Sequence, residues 1–280
     1  MLVLISLDQG EIGFYMINID WFTFLLKLFL VPIFIAAVSL AGRRWGSTLS
    51  GWLIGLPLTS GPVALFLALE QGVVFASQAS QSIMVGIMSV FIFCLVYSWS
   101  ATRLTAIPSM MMGFGAFLAC TYLLQIASLP LMTGFPSSIF VLVVSLLLMP
   151  RVHTVRVRAL SLRWELLARM ICATALVLLI TGLAQSLGPQ LTGLISPFPA
   201  YAATLAAFTH RFQGREQAVM LLRGVIAGSF TFIVFFLVVS LTIIAWGVAA
   251  SFLAAIGISL LTHAASLQFL RGRIRILRLD

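Results

Sequence analysis

Gly51-Trp52-Leu53-Ile54-Gly55-Leu56-Pro57-Leu58-Thr59-Ser60-Gly61-Pro62 is apolar enough to enter a bilayer and too interrupted to cross one as a single helix. Pro57 and Pro62 each lack a backbone donor, and each ring clashes with the carbonyl four residues earlier. Gly61, between them, can take left-handed backbone angles. Two prolines and a glycine so close together predict a break rather than a bend. In a span that begins at residue 49, Pro57 lies about 12 Å deep at 1.5 Å per residue. That is near the middle of an apolar core about 30 Å thick. Non-helical backbone survives at such depth only when it is buried in protein or lines a wet cavity.

A matching interruption lies further on: Ser196-Pro197-Phe198-Pro199-Ala200-Tyr201. Sliding the chain against itself by 142 residues superposes the two stretches. Gly46, Leu49, Gly51, Pro57, Ala64, Phe66, Gln71, Gly72, Ala76 and Gly86 then fall on Gly188, Leu191, Gly193, Pro199, Ala206, Phe208, Gln213, Gly214, Ala218 and Gly228. These are 10 identities in 41 ungapped positions, where composition alone would give about three or four. Lys27 also falls on Arg169, whereas Glu70 falls on Phe212.

Composition agrees with a membrane setting. Of 280 residues 61% are hydrophobic and 8% charged, against about 45–50% and about 25% in soluble domains. This excludes a soluble enzyme, a disordered regulator and a disulfide scaffold. The net charge of +9 does not point to nucleic acid, because the basic residues fall in short gaps between apolar runs, without a basic stripe carrying interleaved polar readers. Cys94, Cys120 and Cys172 lie inside apolar runs and read as packing residues.

A spanning helix needs about 20 mainly apolar residues. Nine candidates follow, at 21–41, 49–69, 82–100, 104–127, 133–149, 166–187, 190–209, 219–243 and 247–269, with the turn between the last two near Thr242–Gly247. Arg43 and Arg44, Arg103, the cluster Arg151, Arg156, Arg158 and Arg163, then His210, Arg211 and Arg215, and finally Arg271, Arg273, Arg275 and Arg278 fill alternate gaps and the C-terminus. The gaps between hold no Lys or Arg. Since Lys and Arg favour the cytoplasmic side, the N-terminus is expected outside and the C-terminus in the cytoplasm, in a cytoplasmic (inner) membrane.

The expected fold is therefore an all-α polytopic membrane protein. Residues 1–20 form an N-terminal surface segment, 21–127 a first repeat of four spans, and 128–165 a linker span with a cytoplasmic loop. Residues 166–270 form a second four-span repeat and 271–280 a basic tail. Asp8, Glu11 and Asp20 argue against a secretory signal at the start, and Met16 is as good a first residue as Met1. An odd number of spans between equivalent positions inverts the second copy. Inverted repeats with paired Gly/Pro-interrupted helices are the plan of many secondary transporters.

The chemistry expected of the breaks follows from helix ends. Gly61 or Ser60 would cap a half-helix beginning at Pro62, and Ser196 one beginning at Pro197. Their free N–H groups would attract an anion. Thr59, Ser60, Tyr201 and Thr204 offer hydroxyls, with Pro57 and Pro199 at the breaks and Lys27 and Arg169 as cations. Glu70, Gln71, Gln213 and His210 are candidates for coupling or gating. No motif of a hydrolase, metalloprotease or nucleotide-binding loop occurs. Seven acidic residues leave little for metal binding. The expectation is a non-enzymatic secondary transporter for a small, anionic organic solute, with no cofactor or metal; its partners are lipid and the solute, and homodimerisation is left open. The alternatives are a non-transporting membrane subunit or scaffold, whose breaks would be tightly filled, and a passive channel.

Overall fold

A computed structural model describes residues 2–4, 14–16, 25, 28, 29, 32, 33, 56, 57, 59–152 and 163–276, with the backbone alone described at 2–4, 14–16, 163–166, 168, 169, 172, 173, 201 and 263–276. A short antiparallel hairpin pairs β1 (Leu2–Leu4) with β2 (Phe14–Met16). The other described elements are helices: α1 (Ser60–Glu70), α2 (Val73–Ala101), α3 (Ala106–Ala127), α4 (Leu131–Leu148), α5 (Arg163–Gly182), α6 (Ala184–Ile195), α7 (Ala200–Gln213) and α8 (Arg215–Ile276). Among them α2, α3, α4 and the stretch Arg215–Thr262 of α8 are long and apolar enough to cross a membrane. The chain is thus a helical, multi-pass type of membrane protein. The expected first span and the first half of the second lie outside the described residues, apart from isolated positions.

Burial separates the roles of these helices. The most apolar stretch of α2 is 72% buried and that of α3 only 17%. A wholly apolar helix that is buried all round occupies the centre of a bundle. On α3 and α4, Met111, Leu118, Tyr122, Phe140 and Leu147 are exposed, as a lipid-facing layer requires. Neighbours approach α2 on glycines. A Cβ at Gly113 of α3 would lie 2.8 Å from the Phe93 ring, and one at Gly134 of α4 would lie 2.8 Å from Val85 Cγ2. Small residues of this kind let membrane helices pack closely where no hydrophobic effect drives them together.

Polar bonds fix the directions. Ser138 Oγ of α4 donates to Met84 O of α2 at 3.2 Å, and Trp99 Nε1 of α2 donates to Leu148 O of α4 at 2.9 Å. Gln81 Nε2 donates to Leu129 O, just before α4, at 3.1 Å. Contacts that advance together along both helices mean that α2 and α4 run parallel. Ser77 Oγ, near the start of α2, donates to Ser240 O, far along α8, at 2.8 Å. Arg223, near the start of α8, donates through Nη2 to Met149 O and Pro150 O at the far end of α4. The first arm of α8 therefore runs antiparallel to both α2 and α4.

Single glycines make the tightest turns. Gly72 joins α1 to α2 at φ 88°, ψ 168°, and Gly214 joins α7 to α8 at φ 97°, ψ 164°. Because Gly72 alone makes the turn, α2 starts at Val73, nine residues before the limit expected from hydropathy. Gly247 (φ 74°, ψ 178°) breaks α8 at the C-terminal limit of the interval expected to hold a turn. This extended, positive-φ region is open essentially only to glycine. Gly214→Ala should lower stability by about 1–3 kcal/mol through backbone strain alone, since nothing lies within 4 Å of the added Cβ. Gly257→Ala, also in open space but with no positive φ, should be neutral or mildly stabilising. Thermal unfolding of both variants in one detergent checks this. Equal melting temperatures would contradict the strained turn.

Candidate functional site

The helical half expected before Pro57 lies outside the described residues, and on the described side the local geometry differs from the expectation. Pro57 is outside any helix and Thr59 is the N-cap of α1, without a side-chain capping bond. The helix begins at Ser60, not Pro62. Pro62 sits in the first turn, where a missing N–H removes no helical bond. Gly61 stays helical instead of taking left-handed angles. Its N–H donates to Pro57 O at 2.9 Å and that of Val63 to Thr59 O at 3.1 Å. The expected cluster of free amides is thus largely turned to the backbone.

The second break behaves in the same way. α6 ends at Ile195 with Ser196 as C-cap, and α7 begins at Ala200, not Pro197, with buried Pro199 as N-cap. The turn is closed by Ser196 N–H to Thr192 O (3.1 Å), Phe198 N–H to Ile195 O (2.9 Å) and Ala200 N–H to Phe198 O (2.8 Å). Ala203 N–H donates to Pro199 O at 2.7 Å. This bond stands 142 residues on from the Gly61–Pro57 bond, just as Ala218 N–H to Gly214 O (3.3 Å) stands to Ala76 N–H to Gly72 O (3.1 Å). Thr204 Oγ1 is taken by Ala200 O at 2.7 Å. Tyr201 and Arg169 are placed by backbone only, and Lys27 lies outside the described residues.

The two breaks meet. Ser60 Oγ donates to Ser196 O at 3.2 Å. Both residues are almost completely buried, and Ser196 Oγ has no hydrogen-bonding partner. Gly86 of α2 abuts the second break: a Cβ there would lie 2.8 Å from Leu194 O and 3.1 Å from Pro197 Cγ. Phe198 plugs the turn into α3, stacked on Phe114 (centroids 5.2 Å, planes 8° apart) and edge-on to Phe117 at 5.4 Å. Ser60→Ala should cost about 0.5–1.5 kcal/mol, the net worth of one such bond; a melting temperature equal to the native one would mean that the bond does not form.

The four gating candidates do not gather at this crossing. Glu70 is the exposed last residue of α1, and Gln71 and Gln213 are half-buried beside the Gly72 and Gly214 turns. His210 lies ten residues past the start of α7, about 15 Å along it. Its Nδ1 is 3.4 Å from Tyr97 Oη, with the rings edge-on.

Three features escaped the sequence reading. Arg223, inside an apolar run, caps the carbonyls at the end of α4. The signal was available, since a cation inside a span demands a partner. Phe198 was hidden by the abundance of phenylalanine. The third is a cavity of about 270 Å³ near the start of α2. Gln78, Gln81, Ser82, Ser128 and Gln190 form its polar lining, and Val85, Leu124, Leu129, Pro189 and Leu194 its apolar part. Val85 and Leu194 adjoin the Gly86–Leu194 contact, so the cavity stops against the second break.

Among the described residues no three His, Cys, Asp or Glu side chains converge as a metal site would need. Comparison with family models, curated proteins and solved structures finds no match to this chain.

Proposed function

We propose that the chain is a nine-span secondary transporter of the cytoplasmic membrane, not an enzyme, which carries a small organic solute by alternating access around the two breaks. The observation that carries this reading is the hydrogen bond from Ser60 Oγ to Ser196 O, which joins two proline-interrupted segments 136 residues apart. Interrupted helices paired across a repeat interface are where transporters of this plan bind substrate.

The inverted repeat draws support from the ends of α4. Gln81 and Arg223 are 142 residues apart, yet they bond at opposite ends of this helix of 18 residues, about 27 Å long. Equivalent positions at opposite faces are what inversion requires. A ninth span is supported by Arg215–Thr262, whose 48 residues would extend about 72 Å unbroken, far beyond a bilayer core; Gly247 divides it. A direct check uses an impermeant thiol reagent on the whole chain with its three native cysteines replaced by alanine. Glu70→Cys should label from outside and Phe212→Cys only after permeabilisation. Labelling of both from one side would remove the inversion.

The solute class is set wider than an anion. The amides of Gly61, Val63 and Ala203 bond to backbone, which leaves Lys27 and Arg169 as the support for negative charge. One observation favours the scaffold alternative: Ser60, Ser196 and Gly86 are packed tightly, so the crossing is filled. An occluded transporter fills it too. Counterflow into proteoliposomes, with labelled organic acids and their neutral analogues, separates the two. Saturable counterflow of any one solute supports transport, and none across the panel supports the scaffold.

A further inference from the structure

We infer that the glutamine-lined cavity at the start of α2 is a binding site for a small, uncharged solute rich in hydrogen-bond donors, a polyol or a carboxamide. This goes beyond the transport reading and stands whether or not the chain moves the ligand.

Size comes first. A volume of about 270 Å³ falls just below the range of drug-sized pockets, roughly 300–1,000 Å³. It suits a single ring or a short polyol. Charge comes second. None of the cavity's lining side chains is ionisable. A charged guest would give up hydration with no counter-charge to replace it.

Polarity comes third. Gln81 Nε2 is spent on Leu129 O at 3.1 Å. Gln190 Nε2 is spent on Gln125 O at 2.8 Å and Ser128 Oγ at 3.0 Å. These bonds tie the turn between α3 and α4 to α2 and α6, and so hold the cavity walls in place. Gln190 Oε1 also accepts from Ser128 Oγ at 3.4 Å, so the chief spare acceptor of the pair is Gln81 Oε1, with one lone pair left on Gln190 Oε1. A surplus of acceptors selects a donor-rich guest, and the apolar side formed by Val85, Leu124 and Leu194 suits the face of a ring.

The test is equilibrium binding of labelled nicotinamide, nicotinate and D-xylose to the full chain in lipid nanodiscs. Nicotinamide and nicotinate differ by an amide in place of a carboxylate on one ring. The expected result is saturable binding of nicotinamide or xylose, with nicotinate at least tenfold weaker. Gln81→Leu and Gln190→Leu should each weaken the neutral probe tenfold or more. Gln78 is exposed, so Gln78→Glu should leave the fold intact. It should reverse the preference toward the 1-methylnicotinamide cation by about tenfold, a change that mere loss of structure would not produce. Nicotinate binding as tightly as nicotinamide, no saturable binding of either neutral probe, or unchanged preference in Gln78→Glu would overturn the inference. Pro57→Ala, aimed at the transport reading, should leave this binding unchanged; if it removed the binding, the probe would be sitting at the breaks and the assignment to the cavity would fail.

Discussion

Gly193→Val is expected to abolish the yield of monodisperse, folded protein. A Cβ at Gly193 would lie 2.5 Å from Ala79 O, 2.5 Å from Ser82 Cβ and 3.0 Å from Ile83 N. Two of those atoms belong to the backbone of α2, which cannot swing aside as a long side chain can. α6 would have to move off α2, and with it the Gly86–Leu194 contact and the turn carrying Ser196. Overpacking a good core costs about 1–3 kcal/mol and sometimes more; here the clash is with main chain and valine adds two further methyls. Gly193→Ala should show a reduced form of the same loss. Gly257→Ala serves as the control, because a Cβ there meets nothing. Size-exclusion profiles and thermal unfolding in a single detergent provide the measurement. A Gly193→Val protein with native melting behaviour would show that α6 does not lie on α2 in this way.

The parts legible in the sequence are those governed by hydropathy and by proline. Helices α3 and α4 lie within two residues of the limits expected for them, because their apolar runs end at polar or proline-bearing turns. The prolines mark both interruptions, since no partner can restore the donor they lack. Turns made by one glycine were harder to see. Gly72 and Gly214 stood out in the self-alignment, yet a lone glycine reads equally well as a packing residue, and only the backbone angles distinguish the two. The starts of the half-helices are illegible in the sequence for a related reason. Proline is as acceptable at the third helical position as at the first, so Pro62 does not fix where α1 begins. The cavity was illegible because its glutamines come from helices more than a hundred residues apart, joined only by packing.

Pro57→Ala combined with Pro199→Ala should abolish solute movement, by at least a hundredfold in initial rate, while membrane insertion and yield hold. The effect runs through one carbonyl. In an unbroken helix Ser196 O would accept from the N–H of Ala200. At the break, Ala200 N–H is instead bonded to Phe198 O, and Ser196 O is left to receive Ser60 Oγ. Alanine at 199 permits helical angles through the turn and supplies an N–H, so α6 and α7 can fuse. Pro197 would remain as a kink of the sort that membrane helices tolerate. Fusion would capture Ser196 O for the helix, release Ser60 and withdraw Phe198 from its stack on Phe114. Alanine at 57 removes the proline that the sequence places just ahead of α1. The two segments would then touch as continuous rods, and the turn between α6 and α7 would be lost. Ser60→Ala is the graded control, since it removes the bond while keeping both breaks and should slow counterflow without stopping it. Should the double variant carry solute at the native rate, the path does not pass between the breaks.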